Sequence, residues 1–572
     1  MGEKIMRIRR IAEIMEALAQ IPHTSVLGVI EGGKLLSLSL VQRDKALYSL
    51  DPESGKMERL TKGFVSLPSI PPYFSSEIYF ARDVSSGKEL HKLYKLDVNK
   101  KEEEEIEMEP MRITSIVHSD KVFFVGSKEK NTIYLVEGGK VEEVASFHEV
   151  FSITDYSQGL LVGSGFFKSP RSSELLLIKD GSVEIFTPKE GSVNENPIIV
   201  GDKIVFSSNF EGSPKLYVLD PETKDVERLE YEEIDRFSPY EFSFLWKGKD
   251  QELIAIAKKD GRSRVFVDGK EIKGPLGNYS TAFVVEGKVY ATFTNSFTPS
   301  SVIELKENRF IFKPEVPEVL KGVVKEVIFR KIRSFDGTEV PTFIVLSSLS
   351  EVPGKAVMLV HGGPWAEDDD RFDVMTYSLA SMGYHVIRSN YRGSTGYGPE
   401  HTLKIMGDPC GGELKDLIEV ARSLKGEIAK EMCIAGYSYG GYMTLCALTK
   451  YPDEFKCGVA GASVADWEEM YELSDAIFKG FIELLFAGRN DLFKERSPIT
   501  YAENLKAPLC LIQPQNDSRT PLKPVLKFME KLNELGKTFE AHIIPNMGHA
   551  LRTVDDMVNV LMPMLVFLEK EM

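Results

Sequence analysis

Cysteine is missing from this chain until position 410. The five that follow, Cys410, Cys433, Cys446, Cys457 and Cys510, form no C-x-x-C pair. That removes the usual sequence sign of a zinc site or a thioredoxin-type redox site. Cysteine this sparse fits a reducing, cytoplasmic home better than a disulfide scaffold. If one bridge forms, as in intracellular proteins of hyperthermophiles, Cys410 with Cys446 is the candidate pair. Long apolar runs are missing too. No stretch approaches the length of uncharged apolar residues that spans a bilayer, so no membrane segment is expected. The opening MGEKIMRIRRIAEIMEALAQIP places a charge inside every apolar run, which excludes a signal-peptide core. Positive charge is also in deficit. With 70 Lys and Arg against 86 Asp and Glu, the net charge of −16 argues against nucleic acid or an anionic membrane as a partner.

What is present divides into three parts. At 572 residues the chain exceeds one hydrophobic core. In residues 1–22, Ile8, Ile11, Met15 and Leu18 recur at helical spacing, which predicts an amphipathic helix ended by Pro22 and packed on the C-terminal domain. Residues 23–315 are β-rich and carry one recurring unit: Leu47-Tyr-Ser-Leu-Asp51, Leu93-Tyr-Lys-Leu-Asp97, Ile133-Tyr-Leu-Val, Leu175-Leu-Leu-Ile, Leu216-Tyr-Val-Leu-Asp220, Arg264-Val-Phe-Val-Asp268 and Val302-Ile-Glu-Leu. The spacing of about 38 to 48 residues is that of a four-stranded propeller blade, so seven copies predict an all-β seven-bladed β-propeller. The run Lys101–Glu105 reads as a solvated hairpin edge rather than a metal cluster. In residues 316–572, apolar strands such as Ala356–Val360 and Leu509–Ile512 alternate with helical stretches such as Glu413–Ala421. That pattern predicts a doubly wound, mostly parallel α/β-hydrolase sheet.

The chemistry gathers in this last part. Glu431–Ala435 enters Gly436-Tyr437-Ser438-Tyr439-Gly440, and a helix-compatible run leaves it. G-x-S-x-G between strand and helix is a nucleophile elbow, and it makes Ser438 the candidate nucleophile. Two partners follow at strand ends. Asp517 comes just after Leu509–Ile512, and His549 comes just after Phe539–Ile544, while His542 lies inside that strand. The order Ser, Asp, His is that of α/β-hydrolases. The turn His361-Gly362-Gly363-Pro364 follows an earlier strand, so the backbone N–H groups of Gly362 and Tyr439 are the expected oxyanion donors.

Together with Asn390–Gly398 (NYRGSTGYG), GYSYGGYM, NDSRTP and GHA, these motifs resemble the prolyl oligopeptidase family of serine peptidases. Asp408–Glu413 and Gly461–Glu469 look most like archaeal acylaminoacyl-peptidases. The resemblance covers essentially the whole chain. It implies Ser438 as nucleophile, His549 as base, Asp517 as its orienter, and Arg519 as a grip on a substrate carbonyl, with a salt bridge across the domain interface as the rival role. Val464, Trp467, Phe478, Phe481 and Ile482 would form an apolar pocket for the residue before the cut. Prolyl oligopeptidases proper have a Tyr where His361 stands, and dipeptidyl-peptidase relatives carry a propeller Glu pair for a free amine, of which no placed equivalent is evident here. The implied activity is release of an N-acylated amino acid from short peptides, without metal or cofactor. A carboxylesterase or a broad oligopeptidase of the same fold are the alternatives. Short N-acylated peptides are the expected partners, and a homo-oligomer, dimer first, is the expected assembly.

Overall fold

The structure, a computed structural model, describes residues 2–41, 43–237 and 241–572. Seven four-stranded antiparallel sheets follow one another from His23 to Phe312, each built from one continuous stretch of chain. The recurring unit is the third strand of each blade, as in Lys45–Leu50, His91–Asp97 and Lys215–Leu219. The aspartate that closes the unit shapes the next turn. Asp51 Oδ1 accepts the N–H groups of Glu53 and Ser54, both at 2.9 Å, and Asp220 Oδ1 accepts those of Glu222 and Thr223 at 2.8 and 3.1 Å. A short carboxylate bonding the backbone two residues on reverses the chain into the fourth strand.

Each pair of neighbouring blades encloses its own apolar cluster. The ring closes without sharing a strand. Blade 1 meets blade 7 through Val26, Leu35, Phe283 and Val302, while Val26 N–H donates to Thr292 Oγ1 at 2.8 Å and Thr281 Oγ1 donates to Val26 O at 2.7 Å. His91, one of the scattered propeller histidines, is structural: its Nδ1 accepts the Ile113 N–H at 3.0 Å.

The second body is one eight-stranded sheet. Its strands are β1 (Val324–Arg333), β2 (Glu339–Ser347), β3 (Gly354–Val360), β4 (His385–Ser389), β5 (Ala429–Tyr437), β6 (Gly458–Gly461), β7 (Leu509–Pro514) and β8 (Phe539–Ile544). They lie in the order β1-β2-β4-β3-β5-β6-β7-β8, antiparallel through β4 and parallel from there on. Parallel strands are covered on both faces, and two large clusters lie against this sheet. Among the described residues no helix is long and apolar enough to cross a membrane.

Helix α1 (Gly2–Ala19) sits on this sheet's side of the molecule. It packs with α2 (Val374–Ser381) and with a long helix, Val554–Glu571, called α6 below. Ile11, Ile14, Met15 and Leu18 are buried there, and Arg7 Nη1 pairs with Glu569 at 3.3 Å. The expected stripe needs one correction. Ile8 is 61% exposed, and Ile14 is buried in its place. Deleting residues 1–20 removes five buried apolar side chains, of which the four larger, Ile11, Ile14, Met15 and Leu18, are each worth roughly 1.5–3 kcal/mol. Calorimetry should show the unfolding transition falling by several degrees or more, and an unchanged transition would remove α1 from the stabilising core.

The expected Cys410–Cys446 bridge is not made, and both thiols are buried and free. The disulfide joins Cys433 to Cys457, whose Cα atoms are 4.8 Å apart. The reason is strand register. Cys433 lies on β5 and Cys457 directly precedes β6, and Ile434 pairs with Gly458 in the parallel ladder.

Candidate active site

Ser438 is the single residue between β5 and α3 (Tyr439–Lys450), at φ 59° and ψ −121°. A residue with a side chain holds this conformation only under constraint. Two glycines supply it. A Cβ on Gly436 would lie 2.3 Å from the Gly440 backbone, and one on Gly440 would lie 2.0 Å from Val360 O. Strand, turn and helix therefore pack backbone against backbone, which lifts the serine side chain into the cavity above the sheet.

The Tyr439 amide is first in α3, where a helix N–H has no intrahelical acceptor and the helix dipole favours negative charge. The Gly362 backbone comes against it: a Cβ there would stand 3.3 Å from Ser438 Cβ and 3.7 Å from Tyr439 N. His361 fixes this turn rather than facing substrate. Its ring bonds Gly362 O at 2.6 Å and Ser394 Oγ at 2.8 Å, and Tyr391 O–H donates to His361 O at 2.8 Å.

The candidate acid and base, Asp517 and His549, lie past the carboxyl ends of β7 and β8. His549 Nδ1 lies 2.7 Å from Asp517 Oδ2. Asp517 Oδ1 accepts the N–H groups of Arg519 and Thr520 at 2.9 and 2.8 Å, and Thr520 Oγ1 donates to Oδ2 at 2.9 Å. Tyr437 O–H holds the His549 carbonyl at 2.8 Å. Every lone pair of the buried carboxylate is thus directed, and the imidazole is held with Nε2 towards the cavity. No hydrogen bond joins Ser438 to His549 in this geometry, a contact that commonly tightens only around substrate.

Ser438, His549 and Tyr439 line one cavity of about 420 Å³. Val464, Trp467, Phe478, Phe481 and Arg519 line it as well, as do Gly363, Trp365, Met470 and Thr520, which the sequence reading did not single out. Trp365 meets Phe481 edge to face at 5.1 Å, and Tyr442 and Phe486 brace Trp467. Ile482 is a correction: it is fully buried in the main core and does not line the cavity. Its neighbours Phe478 and Phe481 take the open side of α5 (Ala476–Phe486) instead. The propeller holds that helix in place. Ile477 N–H donates to Ser127 Oγ at 3.0 Å, and the N-cap Asp475 accepts from Arg112 Nε at 2.6 Å.

Arg519 is committed on one side. Its Nε and Nη2 bond both oxygens of the propeller residue Glu89 at 2.8 and 2.5 Å, while Arg112 Nη1 bonds Glu89 Oε2 at 2.6 Å. Arg519 Nη1 has no partner among the described residues, which leaves N–H donors towards the cavity. The bridge that competed with the carbonyl grip is therefore present, and it leaves the Nη1 edge of the guanidinium unengaged. Burial opposes ionisation of Glu89, but hydrogen bonds and charge from Arg519 and Arg112 outweigh it and hold the carboxyl at about 2, against 4.5 ordinarily. A depressed acid stabilises the fold above its unfolded value and loses that contribution as pH falls towards the folded one. Parent and Glu89→Gln should thus differ most near neutrality, by up to roughly 3 kcal/mol, and converge between pH 4.5 and 2. Denaturant melts across that window would show it, and a constant difference would mean that the bridge does not govern acid stability.

A strained serine at a strand end, a carboxylate-held histidine and a facing glycine turn, beside a seven-bladed propeller, are the arrangement of an α/β-hydrolase serine site. Residues 36–303 match the acylamino-acid-releasing enzyme-like N-terminal domain, and residues 370–572 match the prolyl oligopeptidase family. The match to the prolyl oligopeptidase family of serine peptidases thus holds for the part of the chain that carries Ser438, Asp517 and His549. Dipeptidyl aminopeptidase BIII of Pseudoxanthomonas mexicana is 32% identical over 211 residues, 35% of this chain and 31% of its own. The acylamino-acid-releasing enzyme of Arabidopsis thaliana is 26% identical over 344 residues, 56% of this chain and 42% of its own. The chain thus spans only a third to two fifths of the length of these curated relatives. A puromycin-hydrolyzing peptidase of Mycobacterium tuberculosis superimposes with a TM-score of 0.82 at 18% identity, covering 98% of this chain and 96% of its own. Pyrococcus horikoshii acylaminoacyl peptidase superimposes at 0.70 and 20% identity, covering 96% of each chain. At these identities the likeness is one of fold.

Proposed function

We propose that this peptidase removes an N-acylated amino acid from the start of short peptides. Ser438, deprotonated by His549, attacks the carbonyl of the acylated residue, and the Gly362 and Tyr439 amides hold the oxyanion. Asp517 keeps the imidazole oriented and stabilises its charged form. The peptide leaves with a proton from His549, and water then cleaves the acyl-enzyme by the same route. The apolar walls Trp365, Val464, Trp467, Phe478 and Phe481 suit an uncharged residue such as Leu, Phe or Ala before the cut, because an unpaired charge is costly to bury there.

One observation carries the choice of a blocked terminus. Glu89, the propeller carboxylate that holds Arg519, is already engaged by both Arg519 and Arg112, and Arg112 is shared with Asp475. A free α-ammonium finds no uncompensated anion there, whereas an acyl carbonyl finds the N–H groups of Arg519 Nη1. The direct test compares acetyl-Leu and acetyl-Phe chromogenic amides with the same compounds unblocked. The acetylated ones should be cleaved far faster. Equal rates would favour an esterase or broad oligopeptidase, and faster cleavage of free amines would favour an aminopeptidase.

A further inference from the structure

Strand register gathers a second set of reactive side chains away from Ser438. β7 and β8 pair in parallel, with Cys510 opposite Glu540 and Ile512 opposite His542. Opposed residues in a ladder face one way, and Glu540 and His542, two apart on β8, face the same way. Cys510, Glu540 and His542 therefore meet on one face at the edge of the sheet. Their ligand atoms all lie within 4.8 Å of one another, and they are the one such trio among the described residues. His542 Nε2 is 3.2 Å from Glu540 Oε1.

A tetrahedral zinc ion with bonds of about 2.0–2.3 Å to N, O and S needs donor–donor edges of roughly 3.3–3.6 Å. The His542–Glu540 edge is already that short, and the remaining edges, none above 4.8 Å, close with a shift of at most about 1.5 Å. The set also has a graded exposure. Cys510 is fully buried, while the Glu540 and His542 side chains are 32% and 41% exposed, so the fourth position faces water. Lys570 Nζ bonds Glu540 Oε2 at 3.0 Å, but its side chain is 59% exposed and can turn into solvent. Lys570 sits in the last turn of α6, where helix carbonyls favour a cation.

We propose that Cys510, Glu540 and His542 bind one zinc-class divalent ion that clamps the edge strand β8 to β7. As the sulfur–metal bond forms, the Cys510 thiol proton passes to water. His542 binds through Nε2 with its proton on Nδ1, and Glu540 gives one carboxylate oxygen. The ion takes no part in peptide cleavage. It fixes the strand that leads into the Pro545–His549 loop.

Cobalt titration of the full-length, metal-stripped protein tests this. Expected are one tightly bound Co²⁺ per chain, a near-ultraviolet thiolate-to-cobalt band with tetrahedral visible bands, and displacement by Zn²⁺. Cys510→Ser should abolish the thiolate band although Cys410 and Cys446 remain, and His542→Ala should weaken binding by more than about tenfold. Zn²⁺ should raise the melting temperature of the parent and leave both variants where they melt in chelator. No thiolate band in the parent, or the same band in Cys510→Ser, overturns the site. Should Cys510→Ser fail to fold, the part-exposed His542→Ala and Glu540→Gln decide, and parental affinity in both overturns it equally.

Discussion

Ser438→Ala should fold and melt like the parent and hydrolyse acetylated amides on the order of 10⁶-fold more slowly, since nucleophile, base and orienter act as a unit. Fold and activity separate here because the backbone strain at Ser438 is imposed by Gly436 and Gly440, not by the serine side chain. Asp517→Asn should cost about 10⁴-fold, and the hydrogen bonds show why. Oδ2 accepts from His549 and Thr520, and Oδ1 accepts from two backbone N–H groups. An amide places its NH₂ against one of these sets. Facing His549 it drives the ring to the wrong tautomer, and facing the loop it opposes the N–H groups of Arg519 and Thr520. Steady-state rates beside thermal melts separate the two effects. A Ser438→Ala protein that kept much of the parental kcat/KM would remove Ser438 from the chemistry.

The second large effect is on substrate choice. Arg519→Glu removes the donors for an acyl carbonyl, a charged hydrogen bond worth about 1.5–3 kcal/mol, or roughly ten- to a hundredfold in kcat/KM. It also leaves two carboxylates beside Arg112 as their shared cation, an environment that draws an ammonium. The ratio of kcat/KM for acetyl-Leu and free Leu amides should fall by at least that factor. Simple esters, which do not reach the guanidinium, should change least. An unchanged ratio would mean that Arg519 serves the domain interface alone. Glu89→Ala separates the roles: it loosens the interface yet keeps the carbonyl donors, so it should lower stability more than it alters the ratio.

Much of this was legible in the sequence because it is local. Seven copies of one strand unit announce seven blades, and at Asp51, Asp97 and Asp220 the residue that ends the strand also bonds the turn. G-x-S-x-G, NDSRTP and GHA each mark the end of a strand, where a parallel sheet collects its chemistry. What stayed hidden depends on register and on contact between the two bodies. Cys433 and Cys457 look no more alike in sequence than Cys410 and Cys446 until β5 and β6 are laid side by side. Glu89 carries no local mark of its partnership with Arg519, because that pair exists only once a propeller loop is set against the hydrolase sheet. Ile482 shares an apolar helix with Phe478 and Phe481, and periodicity alone does not say which side of that helix faces the cavity.

Helix α1 and helix α6 bury their apolar faces in the same cluster, although nearly the whole described chain lies between them. During synthesis α1 therefore completes its packing only after α6 has been made. Each blade meets its neighbour as it emerges, so the propeller matures in step with translation. Ile11, Ile14, Met15 and Leu18 find part of their cover on Leu320 and on α2, and the rest only when α6 is made.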